Sequence, residues 1–214
     1  MPMMADQRQE EYPELIISLT QLLIVQDEES HDDYRDNYVR SYAGPIRLVN
    51  AESEEEIEIG EIELFYFDGT RALDNDLDIV DICDSVGQDQ YDYAAAVYSD
   101  GALDSEIVGD WISNDVLALH TISILPGYRG RQYGLRVTRK IIETVGNHCG
   151  AVILKPAPLQ FSSQFSENKE WMERIQMTVF GTDQQAATKR LTDYWKALDL
   201  RSTKNPSIYS VSQL

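Results

Sequence analysis

The run Ile124-Leu125-Pro126-Gly127-Tyr128-Arg129-Gly130-Arg131-Gln132-Tyr133-Gly134 concentrates arginine and glycine between two apolar patterns. It follows an apolar strand pattern and precedes Leu135, Val137, Ile141, Ile142 and Val145, which recur at helical spacing. A tight turn of this composition gathers backbone N–H groups and two guanidinium groups around a helix N-terminus. Unpaired N–H groups and the helix dipole both favour negative charge there, so the chemistry predicted is anion binding, with a diphosphate as the natural fit. Metal chemistry is not expected: Cys83 and Cys149 lack a CxxC or zinc-type spacing, and His31, His120 and His148 are scattered.

The elements that must position this turn are legible on either side of it. Residues 116–125 are apolar on both faces, the mark of a central strand, and residues 151–156 read as a short buried strand. Strand, helix and strand together predict a right-handed parallel βαβ unit. Upstream, residues 42–50 and 57–67 read as an antiparallel pair joined by an acidic turn, with a slip of alternation at Gly60 and Glu61 that predicts a bulge. Residues 77–98 read as one or two helices broken near Gly87, and a short strand is expected at residues 107–111. Downstream come a long connection over residues 156–182 with a helix near 169–176, an amphipathic helix over 186–198, and a terminal strand in 206–212. Residues 13–25, with Leu15, Leu19, Leu22 and Leu23 on one face, read as a first helix that could cap the domain or mediate a homodimer.

The chain has 214 residues, 43% of them hydrophobic, enough for one domain over residues 1–214 in which residues 1–40 form a helical and acidic extension. The fold class expected is α/β, with a mixed central sheet that is antiparallel in its first half, a parallel βαβ unit and flanking helices. A formal net charge of -19 argues against a nucleic-acid surface, which needs a basic face. That charge fits a solvated acidic exterior or attraction of cationic partners such as polyamines or basic peptides. No apolar run approaches the roughly 20 residues of a membrane span. The N-terminus lacks the basic-then-apolar order of a signal peptide, and the cysteine usage suits a reducing cytoplasm.

On these residues the chain resembles the GNAT superfamily of acyl-CoA-dependent N-acyltransferases. Its central motif, Arg/Gln-x-x-Gly-x-Gly/Ala after a strand, is matched by Arg129 to Gly134, and a second segment, F-Y-x-K-L-G-F, by Tyr194-Trp195-Lys196-Ala197-Leu198-Asp199-Leu200. The resemblance covers residues 116–214; the first half agrees only in its pattern of elements. It implies acetyl-CoA as cofactor and transfer of acetyl to a primary amine, small-molecule or peptide, by direct attack in a ternary complex. The N–H groups of Gly130, Arg131, Gln132, Tyr133 and Gly134 would hold the pyrophosphate, aided by Arg129 and Arg131. The backbone of Ile122 and Ile124 would hold the pantetheine, with Trp195 against the cofactor. His120, taken to share parity with Ala118, Ile122 and Ile124, matches a histidine that relays the amine proton in the arylalkylamine branch. An amine of pKa about 10.4 must lose that proton, and an imidazole of about 6.5 suits the task. Asp115 or a water chain could replace it, and His120 could equally be a packing histidine.

Three departures from the family pattern matter chemically. Gln132 stands where the family has glycine, Trp195 where many members have the tyrosine that protonates the leaving thiolate, and Asp199 where the second motif has glycine. An indole N–H donates a hydrogen bond but is no practical acid. The acid would then be Tyr194, Tyr128 or Tyr133, or absent. A non-catalytic acyl-CoA-binding module and an interaction protein that kept the fold are the alternatives.

Overall fold

Alternating sequence in the first half of the chain is realised as long antiparallel ladders. A computed structural model describes residues 14–21, 38–50, 53–109, 113–162 and 168–211. Its first elements are β1 (Glu14–Ile17), β2 (Thr20–Gln21), β3 (Val39–Val49) and β4 (Glu56–Phe67). Helices α1 (Gly69–Asp74), α2 (Ile79–Val86) and α3 (Gln88–Val97) follow, then a small hairpin of β5 (Tyr98–Ser99) and β6 (Ala102–Leu103), and α4 (Ser105–Val108). The second half comprises β7 (Val116–Ile124), α5 (Tyr133–Thr144), β8 (Ala151–Leu154), α6 (Lys169–Ile175), α7 (Gln184–Trp195), β9 (Leu200–Ser202) and β10 (Tyr209–Val211). The main sheet runs β1-β3-β4-β7-β8-β10-β9, with β2 also on β3. Among the described residues only β7 and β8 pair in parallel; the other ladders are antiparallel. The fold is therefore α/β, an open mixed sheet covered by helices on both faces.

Each face of the sheet has its own core. On one, Phe65, Phe67, Val116, Ala118 and Ile153 pack with Ile79, Ile82, Tyr93 and Val97 of the early helices. On the other, Ile62, Leu64, Leu117, Leu119 and Val152 pack with Val137, Ile141 and Trp195 of α5 and α7. Gln132 occupies the N-cap of α5 without a side-chain cap bond. Burial of the Val137 and Ile141 stripe, roughly 1.5–3 kcal/mol per side chain, is thus what seats that helix.

Three expectations are corrected. Residues 14–17 and 20–21 are strands, not helix: Leu15, Ile16 and Ile17 pair with Leu48, Arg47 and Ile46. Long-range ladder bonds override the leucine spacing. The rest of that expected helix and most of the 1–40 extension lie outside the described residues. The strand expected at 107–111 begins as α4 instead, where the Asp104 carboxylate accepts from the Glu106 N–H at 3.0 Å and starts a helical turn; residues 110–112 lie outside the described set. Strand β9, between α7 and β10, was not anticipated. The break at Gly87, the helix at 169–175 and the bulge in β4 match expectation, the extra residue of that bulge being Ile59.

Candidate functional site

A second bulge creates the site. Glu63 pairs with Thr121 and Leu64 with Leu119, so His120 is the extra residue of β7. Bulges bend a strand and sharpen its twist. On the other edge of β7, Val116 to Leu119 pair with Ala151 to Leu154, and there the parallel ladder stops. Lys155 precedes Pro156, which has no N–H to continue a ladder. The Ala157 N–H turns back to the Lys155 carbonyl at 2.7 Å, closing a three-residue turn that leads the chain away. The two parallel strands therefore fork at His120, and among the described residues β7 beyond it has a strand on one side only. On that side the approach is close: a Cβ on Gly60 would lie 2.1 Å from the Ser123 carbonyl oxygen.

The fork opens into a groove of about 530 Å³ walled by Ile122 and Ile124, by residues 128–130 and 132–134, by Pro158 to Gln160, by Met177 and Phe180, and by the α7 face carrying Tyr194 and Trp195. A smaller cavity of about 80 Å³ sits at the fork itself, bounded by Leu119, His120, Thr121, Lys155 and Trp195. Ile122, Leu159, Leu191 and Trp195 border both, so the groove runs from the α5 N-terminus to His120.

At that N-terminus two residues of the turn have positive φ. Gly130 has φ 78°, and Gln132 sits in the left-handed region at φ 59°, ψ 18°. The turn over Arg129 and Gly130 is closed by Arg131, and among the described residues no backbone acceptor outside the helix meets the N–H groups of Gln132, Tyr133 and Gly134. The Leu135 N–H is taken, donating to the Tyr194 hydroxyl at 3.1 Å. The second family-glycine position behaves alike: Asp199 has φ 53°. Both departures thus keep a conformation that glycine adopts freely and that Asp tolerates better than most residues.

The expected site residues divide. Ile122, Ile124, Gly130, Gln132, Tyr133, Gly134 and Trp195 all border the groove. Arg131 lies exposed on the turn. Arg129 does different work from the phosphate contact expected of it. Its Nε donates to the Ile124 carbonyl at 2.8 Å, its Nη2 to the Ile175 carbonyl, and its guanidinium lies 4.9 Å from the Phe180 ring centroid. Burial lowers its pKa. Arg129 is a strut between β7 and the segment after α6, itself clamped to β4 by Trp171 and Arg174 on Glu61 and by Arg174 on Glu58.

His120 is at the fork, but the bulge inverts the expected parity. Its ring stacks on the α3 side, 4.6 Å from Phe65 and 6.0 Å from Tyr93 between centroids, whereas Ile122 and Ile124 face α5 and α7. The Tyr93 hydroxyl lies 3.5 Å from His120 Nδ1. Tyr194 points its hydroxyl to the α5 N-terminus, and burial raises its pKa. The neighbouring Trp195 occupies the wall of the fork. Tyr128 and Tyr133 border the groove but not the fork cavity. Asp115 is at the opposite end of β7, both carboxylate oxygens engaged by the Tyr66 hydroxyl at 2.8 Å and the Thr70 N–H at 2.9 Å, so it does not reach the fork.

Among the groove residues that escaped the sequence reading are two polar ones with reach into it. Arg190 borders the groove and donates to the Phe180 carbonyl at 2.6 Å; Gln160 comes from the turn after β8. Arg190 precedes Tyr194 by four residues, as Leu191 precedes Trp195, so helical spacing could have placed it beside the groove. Among the described residues no group of acidic, histidine or cysteine side chains could hold a metal, and no helix is long and apolar enough to cross a membrane. No protein-family model, curated protein or solved structure matches this chain.

Proposed function

We propose that this chain is a GNAT-type, acyl-CoA-dependent N-acyltransferase, most simply one that transfers acetyl from acetyl-CoA to a primary amine. The observation that carries the reading is the fork: β7 and β8 part at His120, and the groove so opened ends on the unpaired N–H groups of the α5 N-terminus. A diphosphate accepts from those N–H groups, with Arg131 nearby as a cation. An extended, largely apolar chain suits the groove beside Ile122 and Ile124. Left-handed backbone at Gln132 and Asp199, the two motif positions that lack their glycine, supports the same reading.

In the reaction the amine nitrogen forms a bond to the thioester carbonyl carbon and the carbon–sulfur bond breaks. An ammonium substrate yields amide, free thiol and one proton to solvent. The amine approaches from the His120 side, where Glu63 of β4 adds negative charge that favours a cation, Asp89 and Asp92 of α3 being paired with Lys155. A thiol of pKa about 8.5, like that of cysteine, leaves with little assistance.

A second reading, a non-catalytic acyl-CoA-binding module, is favoured by one observation: Trp195 borders the fork while the Tyr194 hydroxyl is engaged at α5. Both readings predict stabilisation by acetyl-CoA. At 100 times its dissociation constant a ligand adds about 2.7 kcal/mol, which for a chain of this size raises the melting temperature by roughly 5–10 °C. No shift at millimolar acetyl-CoA removes both readings. Release of free thiol with any member of an amine panel selects the transferase.

A further inference from the structure

Lys155 follows the last residue of β8. Along that strand Ala151 and Ile153 belong to the core beneath the early helices, and Val152 and Leu154 to the core beneath α5 and α7. Alternation therefore sends Lys155 to the side of Ala151 and Ile153, the same side on which the His120 ring stacks against Phe65. There its ammonium lies 3.3 Å from Asp92 and 3.7 Å from Asp89, carboxylates that share one face of α3. Lys155 also borders the cavity at the fork, and its side chain is only 29% exposed. Among the described residues that border the groove or that cavity, it carries the one primary amine. The free chain thus already holds an ammonium on the side from which the transferase reading brings its acceptor.

We propose that Lys155 is itself an acyl acceptor, a self-modification site that takes the acyl group of a thioester bound in the groove. The proposal rests on the acyl-CoA reading for its donor. In the step an amide bond forms between Nζ and the carbonyl carbon, and the carbon–sulfur bond breaks. The ammonium and the thioester give acyl-lysine, free thiol and one proton to solvent. A donor held at the fork acts at high effective concentration on the amine beside it, an advantage that lysines elsewhere lack. Exposure alone favours those others, since the side chains of Lys140, Lys196 and Lys189 are 64%, 66% and 79% exposed. Acylation selective for Lys155 is therefore the mark of delivery through the groove. The acyl group also removes the charge of Lys155, so Asp89 and Asp92 lose that cation and, with Glu63, make the acceptor side more attractive to a cationic amine.

The test incubates the full chain with acetyl-CoA and no added amine, then maps acetyl groups by peptide mass spectrometry, with the melting temperature recorded in parallel. Acetyl should appear at Lys155 at a level at least about tenfold above that at Lys140, Lys189 and Lys196. Its rate per chain should not change when the chain is diluted about tenfold, as an intramolecular step requires. Lys155→Arg, which keeps a cation for Asp89 and Asp92, should still be stabilised by acetyl-CoA and should lose that modification. Acetylation spread evenly over the exposed lysines, or a rate at Lys155 that falls with dilution, overturns the internal acceptor. An unmodified Lys155 in a chain that acetyl-CoA stabilises overturns this inference alone and leaves the acyl-CoA reading standing. No stabilisation by acetyl-CoA removes both.

Discussion

Replacing Arg129 separates a strut from a phosphate ligand. In the ligand-free chain the guanidinium makes two hydrogen bonds to carbonyls, of Ile124 and Ile175, and stacks on Phe180. Hydrogen bonds from charged donors contribute about 1.5–3 kcal/mol each when buried; at a half-buried site about 1 kcal/mol each is the appropriate scale. The ring contact adds about 0.5–1 kcal/mol. Arg129→Met keeps most of the stem packing and loses the rest, so the expected cost is about 2–3 kcal/mol. For a chain of this length that lowers the melting temperature by roughly 5–10 °C, read by circular dichroism without ligand.

Arg129→Lys sharpens the comparison, because an ammonium keeps the charge but cannot fork between two carbonyls. A strut requires the lysine variant to melt close to the methionine variant. A phosphate ligand requires the lysine variant to melt like wild type and to keep most of its affinity for acetyl-CoA. The strut is refuted if Arg129→Met melts within about 1 °C of wild type while its affinity for acetyl-CoA falls tenfold or more.

Gln132→Gly removes a side chain from a left-handed residue, at φ 59°, that costs about 1–2 kcal/mol. Glycine's greater freedom when unfolded returns roughly 0.4–1 kcal/mol. The net of about 0.8 kcal/mol is a rise of about 2–3 °C in melting temperature, with acetyl-CoA binding unchanged or tighter; weaker binding would make Gln132 a ligand. Tyr194→Phe strips the acceptor from the Leu135 N–H and should leave turnover within about threefold, whereas an acid on the thiolate would cost about 10²–10⁴, measured as free-thiol release. Asp193, hydrogen-bonded by Lys189 at 2.9 Å and Lys196 at 2.6 Å, has its pKa lowered to about 2. Its folded pKa lies below the unfolded value of about 3.9, so its contribution is complete above that value and is lost as pH falls through about 2. The urea midpoints of wild type and Asp193→Asn should therefore converge between pH 4 and pH 2.

What the sequence discloses about this fold is what depends on neighbours along the chain. The stripe through Val137 and Ile141, the break at Gly87 and the turn from Arg129 to Gly134 are local, and each appears where spacing puts it. What it hides depends on a second segment. Leu15 to Leu23 satisfies a helical template, but β3 supplies a ladder that helical spacing cannot reveal. The parity of His120 fails for the same reason: a bulge is defined by its partner strand, and only the pairing of Glu63 with Thr121 shows that β7 carries an extra residue. Arg129 reads as an anion ligand because its motif is local, whereas one of the carbonyls that claim it lies 46 residues away.

The adjacent aromatic residues of α7 show how one helical step sends neighbours to different parts of the groove. Successive residues turn about 100° around a helix. Tyr194 therefore reaches the N-terminus of α5 while Trp195 reaches the fork. Gly134 accommodates this arrangement, since a Cβ there would come 2.8 Å from the Tyr194 hydroxyl oxygen. The phenol thereby accepts from one N–H of the first turn of α5, that of Leu135. The fork receives an indole, which shapes the cavity and can donate a hydrogen bond but supplies no practical acid. The titratable groups among the described residues that border the fork are His120 and Lys155, the latter paired with Asp89 and Asp92.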